Sequence, residues 1–138
     1  MSGELQKLEA VKMCLRKMEL AEQVFEETKA RAESTTHRIS EIKVQSNSGM
    51  NWREDAILKM TKARECYIAA TNNYAEAVSE VYEILDRLPE AKWIPVLAGR
   101  YLRYKTWEQI AIETRQSVRN CMTLHKKALK WLEENTGN

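Results

Sequence analysis

The sequence predicts an all-α fold in which two long, heptad-patterned helices precede a small C-terminal helix-turn-helix. Composition gives the first reason: 138 residues contain four Gly, two Pro and one Phe, while Ala, Glu, Lys, Leu and Met, which lose little side-chain freedom in a helix, are plentiful. Long stretches without a helix breaker give the second, and apolar residues recurring at spacings of three and four give the third.

From Glu4 to about Thr36 neither Gly nor Pro interrupts, and Leu8, Val11, Leu15, Met18 and Phe25 mark one face, with Glu22 at the remaining position of the seam. This stretch reads as one long amphipathic helix. Around residues 40–51 the period is lost and Ser46-Asn47-Ser48-Gly49 forms a turn-favouring cluster, which predicts a loop. Asn51 with Glu54 three residues on offers a cap for a second helix, which Pro89 must end. Its seam reads Ile57, Met60, Arg64, Tyr67, Thr71, Tyr74, Val78, Val81, Leu85 and Leu88, a heptad pattern without a break. Two such helices can fold back as a hairpin or pair with a second chain as a dimeric coiled coil. Polar residues in both seams (Glu22, Arg64, Thr71) and the tyrosine stripe favour the dimer.

Beyond Pro89 the helices shorten, which divides the chain into a long-helix region, 1–88, and a C-terminal region, 89–138. Pro95 suits the first turn of a short helix carrying Val96, Leu97, Tyr101 and Leu102, and Arg103 to Lys105 is a polar break. Thr106-Trp107-Glu108-Gln109 fits a capping box, so a helix starts at Trp107 and runs to about Thr114. Ser117 then caps a final helix reaching about Glu134. On that helix Val118, Cys121, Leu124, Ala128, Trp131 and Leu132 form the inward stripe, and Arg119, Asn120, Thr123, Lys126, Lys127 and Lys130 lie on the other side.

Charge follows the same division. Residues 1–88 hold 13 Lys and Arg against 15 Asp and Glu, whereas residues 89–138 hold 9 against 5. The basic tail is drawn to polyanions. In a helix-turn-helix the second helix presents its N-terminal half to the major groove. Arg119 and Asn120 suit guanine and adenine edges, Lys126, Lys127 and Lys130 suit phosphates, and Ser117 could clamp a phosphate at the helix start. The expected ligand is double-stranded DNA.

Arg100-Tyr101-Leu102, Thr106 to Ala111, Ser117-Val118-Arg119 and Leu124-His125 with Lys127-Ala128-Leu129 resemble the region-four helix-turn-helix of bacterial sigma factors. They resemble more closely a family of small bacteriophage and prophage sigma-factor-like, late-gene transcription regulators, and Glu33 to Thr36 and Trp52 to Ile57 are similar to its N-terminal half. The resemblance implies promoter recognition in the service of host RNA polymerase, with Arg119, Asn120 and Thr123 at base-reading positions and Lys126 and Lys127 near phosphates. Two departures stand out. Arg115-Gln116 replaces the glycine and apolar residue usual in sigma-type turns, and residues 1–88 lack the region that melts promoter DNA. A regulator assisting the polymerase is implied, not a complete sigma factor. The alternative is a helical interaction factor, binding polymerase or serving virion assembly without touching DNA.

Other classes find less support. No Gly-rich phosphate loop or nucleophile motif is present and only two histidines occur, so an enzyme is not expected. Glu33, His37 and Glu41 share a helical spacing but lack a structural-zinc ligand set, so neither metal nor cofactor is expected. His125 reads as a packing residue with a satisfied ring nitrogen. Trp93, Trp107 and Trp131 read as core, and Trp52, among polar neighbours, as a staple or partner contact. No apolar run reaches the roughly 20 residues a bilayer span needs, and Met1 to Leu8 has no signal core. Cys14, Cys66 and Cys121 are odd in number and far apart, which suits a reducing bacterial cytoplasm.

Overall fold

The computed structural model describes the backbone of residues 3–42 and 47–135 and the side chains of residues 3–34 and 51–135. Among these the elements are all helical: α1 (Gly3–Ile42), α2 (Asn47–Arg87), α3 (Trp93–Tyr101), α4 (Trp107–Thr114) and α5 (Val118–Asn135). None is long and apolar enough to cross a membrane.

Both long helices continue further than their sequence signals suggest. Helix α1 runs to Ile42 instead of about Thr36, and α2 starts at Asn47. Asn51 is therefore inside α2 and does not cap it. Ser, Asn and Gly each cost a helix less than or about 1 kcal/mol, a penalty that extension of an already nucleated helix can absorb. Of the turn cluster, Ser46 alone falls outside the described backbone, together with residues 43–45 before the cluster.

The helices pack as two compact units, Met1–Leu15 with Tyr74–Asn138, and Arg16–Asn73, so compact packing does not divide the chain at Pro89. In the first unit Glu4 forms an ion pair with Arg87. In the second the Phe25 and Tyr67 rings stack at 6.1 Å. Moving along α1 from Phe25 to Thr28 and Arg31 brings the facing residues of α2 back from Tyr67 to Lys59, Ala56 and Asp55, so in the second unit the two helices run antiparallel in a single chain.

The seam differs from the expected one at three positions, Ile57, Arg64 and Thr71, and keeps Val78 and Leu85. The buried or half-buried described side chains of α2 are Ala56, Met60, Ala63, Tyr67, Ala70, Tyr74, Ala77, Val78, Val81, Ile84 and Leu85, followed by Leu88 just beyond it. Ile57, Arg64 and Thr71 are exposed, one residue away from the alanines that hold the seam. On α1 the same holds: Glu22 is exposed and Ala21 is half-buried in its place, between Met18 and Phe25. Alanine is small enough to let helix axes approach closely, so the shared seam centres on it. The polar interruptions that favoured a dimer thus lie outside the intrachain contact.

One core fills the first unit. Leu8 and Val11 of α1, Val81, Ile84 and Leu85 of α2, Val96 and Leu97 of α3, Ile110 of α4, and Cys121, Leu124, Ala128 and Leu132 of α5 are all buried in it. Trp93 is buried there, while Trp107 and Trp131 pack against it half-exposed. Gly99 sits where α3 meets α4: a β-carbon there would lie 2.9 Å from Ile110 Cγ1.

Candidate functional site

Helix α4 starts as its sequence dictates. Thr106 Oγ1 accepts from the Gln109 backbone N–H, and the Thr106 N–H donates back to Gln109 Oε1, at 3.2 and 2.9 Å. This reciprocal box satisfies two helix-end donors that would otherwise face solvent. Lys105, just before it, pairs with Glu113.

The connection from α4 to α5 is Arg115-Gln116-Ser117. Arg115 adopts the left-handed region, φ 55°, ψ 44°. Its N–H reaches Ile112 O, and the Gln116 N–H reaches Ala111 O at 3.0 Å. That pair of bonds is a Schellman closure, which commonly has glycine at the left-handed residue. The chain therefore makes a tight turn with arginine where the sigma-type pattern has glycine. Ser117 then caps α5, its Oγ accepting from the Asn120 N–H at 3.0 Å.

Helix α5 carries two faces. Cys121, Leu124, Ala128 and Leu132 are buried, and Val118 and Trp131 are half-buried. At 3.6 residues per turn Arg119, Asn120, Thr123, Lys126, Lys127 and Lys130 occupy an arc of about 120° on the opposite side. All six are exposed, and Ser117 is exposed just before them. The sequence-singled residues are thus together on one surface. The four cations among them form no ion pair with a described residue. The Thr123 hydroxyl donates to Arg119 O at 3.0 Å, which leaves its lone pairs free to accept.

Beneath this face an aromatic cluster ties α5 to α3 and α4. Tyr101 Oη lies 2.8 Å from His125 Nε2, and the two rings stack. Trp107 meets the His125 ring edge-on at 5.1 Å, and the Arg100 guanidinium sits over Trp107 at 4.6 Å. Burial, with help from nearby Arg100, holds His125 below its ordinary pKa. A neutral imidazole with a bonded nitrogen is what a packing role requires.

Two features escape sequence reading. Gln116 Oε1 accepts a 2.6 Å hydrogen bond from Asn120 Nδ2 across the start of α5. The second unit also exposes Leu20, Val24, Ile57, Leu58 and Ile68, beside Trp52, which the sequence does single out. Trp52 is 66% exposed and lines a shallow cavity of about 400 Å³ with Thr28, Arg31, Asp55, Ala56 and Lys59.

Of the dismissed metal ligands, Glu33 is exposed, and the side chains of His37 and Glu41 lie outside the described residues. Among the described residues no three His, Cys, Asp or Glu side chains are grouped to hold a metal. Comparison with known proteins gave no matching family, no curated relative and no similar solved structure.

Proposed function

We propose that the chain is a DNA-binding transcription regulator whose α4–α5 unit is a helix-turn-helix, with α5 as the helix that enters the major groove. The observation that carries this reading is the exposed face of α5, where Arg119, Lys126, Lys127 and Lys130 stand without acidic partners among the described residues. A helix is 10–12 Å across, and the major groove of B-DNA is about as wide. Capped helix, three-residue turn and capped helix give the spacing that a helix-turn-helix uses to set one helix across the backbone and the next in the groove.

The roles divide by chemistry. Arg119 and Asn120 offer paired hydrogen bonds to guanine and adenine, and Thr123 offers its methyl group to thymine. Lys126, Lys127 and Lys130 neutralise phosphates. Ser117 already accepts from the helix, so its own O–H is the group available to a phosphate oxygen. The resemblance to phage and prophage sigma-like regulators supports a promoter as the target and host RNA polymerase as the machine it assists. The exposed apolar residues of the second unit favour a second reading, a helical factor that engages another protein without touching DNA.

Duplex affinity measured against salt separates the two. Counterion release makes the affinity of a phosphate-binding helix fall steeply as salt rises. Lys126→Ala and Lys127→Ala should each lower the slope of log affinity against log salt by about one and weaken binding to every duplex alike. Affinity that is absent, or flat in salt, would sink the DNA reading and select the second.

A further inference from the structure

Asn120 is held at two points before any ligand arrives. Its backbone N–H is bound by Ser117 Oγ at 3.0 Å, and one hydrogen of its carboxamide by Gln116 Oε1 at 2.6 Å. Gln116 is anchored in turn, half-buried and with its N–H on Ala111 O. The chain of contacts therefore runs from the end of α4, through the left-handed turn, to an exposed side chain on the outer face of α5.

Resting on the DNA reading above, we infer that Gln116 is a positioning residue that fixes the Asn120 carboxamide to read an adenine edge. An asparagine side chain has one oxygen acceptor and two amide hydrogens. With one hydrogen committed to Gln116, the outward edge presents one acceptor beside one donor. Adenine offers the complement in the major groove, an N6 donor beside the N7 acceptor. Guanine offers two acceptors, O6 and N7, so the asparagine oxygen would face O6 without a hydrogen between them. A carboxamide free to turn half a revolution would present donor and acceptor in the reverse order. With Gln116 Oε1 as the bonded atom the order is held, since turning the Asn120 carboxamide over alone would set its oxygen against that of Gln116, so the preference for adenine depends on a residue that lies in the turn and need not itself touch a base.

The experiment uses the full chain and duplexes selected by it from a pool with a randomised centre. The position read by Asn120 is the one at which Asn120→Ala no longer prefers A·T over G·C. There Gln116→Ala should lose about three- to tenfold of the preference, the scale of one side-chain hydrogen bond, with unchanged melting temperature and unchanged affinity for unselected duplex. Gln116→Glu keeps the acceptor and adds negative charge, so it should bind all DNA more weakly while retaining the preference. In an Asn120→Ala background Gln116→Ala should change nothing.

A Gln116→Ala chain that discriminates like the parent, or a Gln116→Glu chain that loses the preference equally, overturns the inference. So does a selected sequence with no adenine position sensitive to Asn120, although the DNA reading then stands. A pool from which no sequence emerges overturns both.

Discussion

The two compact units are built on the same pair of long helices, yet they solve the packing problem differently. In the first, the seam carries Leu8, Val11, Val81, Ile84 and Leu88, and α3 to α5 contribute to the same core. Among the described residues of the second, Arg16–Asn73, Ala32 and Ala63 are buried, and Leu20, Val24, Ile57, Leu58 and Ile68 are exposed. A helix buries one stripe against one neighbour and needs another element to cover its flanks. The first unit has that third layer and the second has only two helices among its described residues. A heptad pattern therefore specifies partnership but not how much surface it removes from water.

The sharpest way to break this comparison is a charge in each seam assignment. Val81 is 0% exposed, and Val81→Asp should cost about 4 kcal/mol or more, since an unpaired buried carboxylate lacks both water and a partner. Native domains are stable by only about 5–15 kcal/mol, so this variant should melt far below the parent or fail to fold. Val78, at the half-buried edge, should tolerate Asp with a loss of no more than about 2 kcal/mol. Equal melting temperatures for the two variants would show that the seam is misassigned.

Next in size is a test of the alanine seam in the second unit. Ala63→Leu inserts three carbons where the helices approach and should cost about 1–3 kcal/mol. Ile68→Ala, on the exposed flank, should change stability by about 0.5 kcal/mol or less. The usual ranking, in which trimming a large apolar residue hurts more than enlarging a small one, should be reversed in this unit. A urea titration of the two variants measures it, and a costlier Ile68→Ala would place the contact on the large residues after all.

Gly99 sharpens the comparison from inside the first unit, where packing is dense enough to exclude one methyl group. A glycine in mid-helix costs about 1 kcal/mol relative to alanine, so Gly99→Ala would ordinarily stabilise α3. Here the new carbon meets Ile110 Cγ1 at 2.9 Å and Cδ1 at 3.1 Å, and Ile110 is 1% exposed with no room to retreat. Overpacking of roughly 1–3 kcal/mol should outweigh the helical gain and leave a net loss of about 1 kcal/mol. A raised melting temperature would mean that α3 and α4 are looser than their geometry indicates.

Sequence reading succeeds where side chains make local bonds and errs where neighbours decide. Thr106 with Gln109, and Ser117 with the N–H three residues on, specify helix starts from within one turn, and both are present. The inward stripe of α5 also follows from spacing alone. The long seam is legible at Met60, Tyr67, Tyr74, Val78, Val81, Leu85 and Leu88. Elsewhere along it size misleads about burial, pointing to Ile57, Arg64 and Thr71 where Ala56, Ala63 and Ala70 hold the contact. Close approach of two helices rewards the small residue, and no property of alanine in isolation announces it. Likewise Gly99 offers no sign that Ile110 lies against it.

Arg115 supplies the smallest expected effect and separates packing from backbone strain. A left-handed conformation costs an L-residue about 1–2 kcal/mol because its β-carbon crowds the following carbonyl oxygen. Arg115→Gly removes that β-carbon but gives the unfolded chain more freedom to lose, which offsets most of the relief. The net should be a stabilisation of a few tenths of a kcal/mol, arising from the backbone alone. Arg115→Val, whose branched β-carbon suits this region worst, should instead cost at least about 1 kcal/mol. Since Arg115 is exposed, burial would place both substitutions within the small effects of a surface site. Thermal melts that ranked glycine above arginine and arginine above valine would show that the turn is governed by its φ angle; identical melts would show that the left-handed turn is not held in solution.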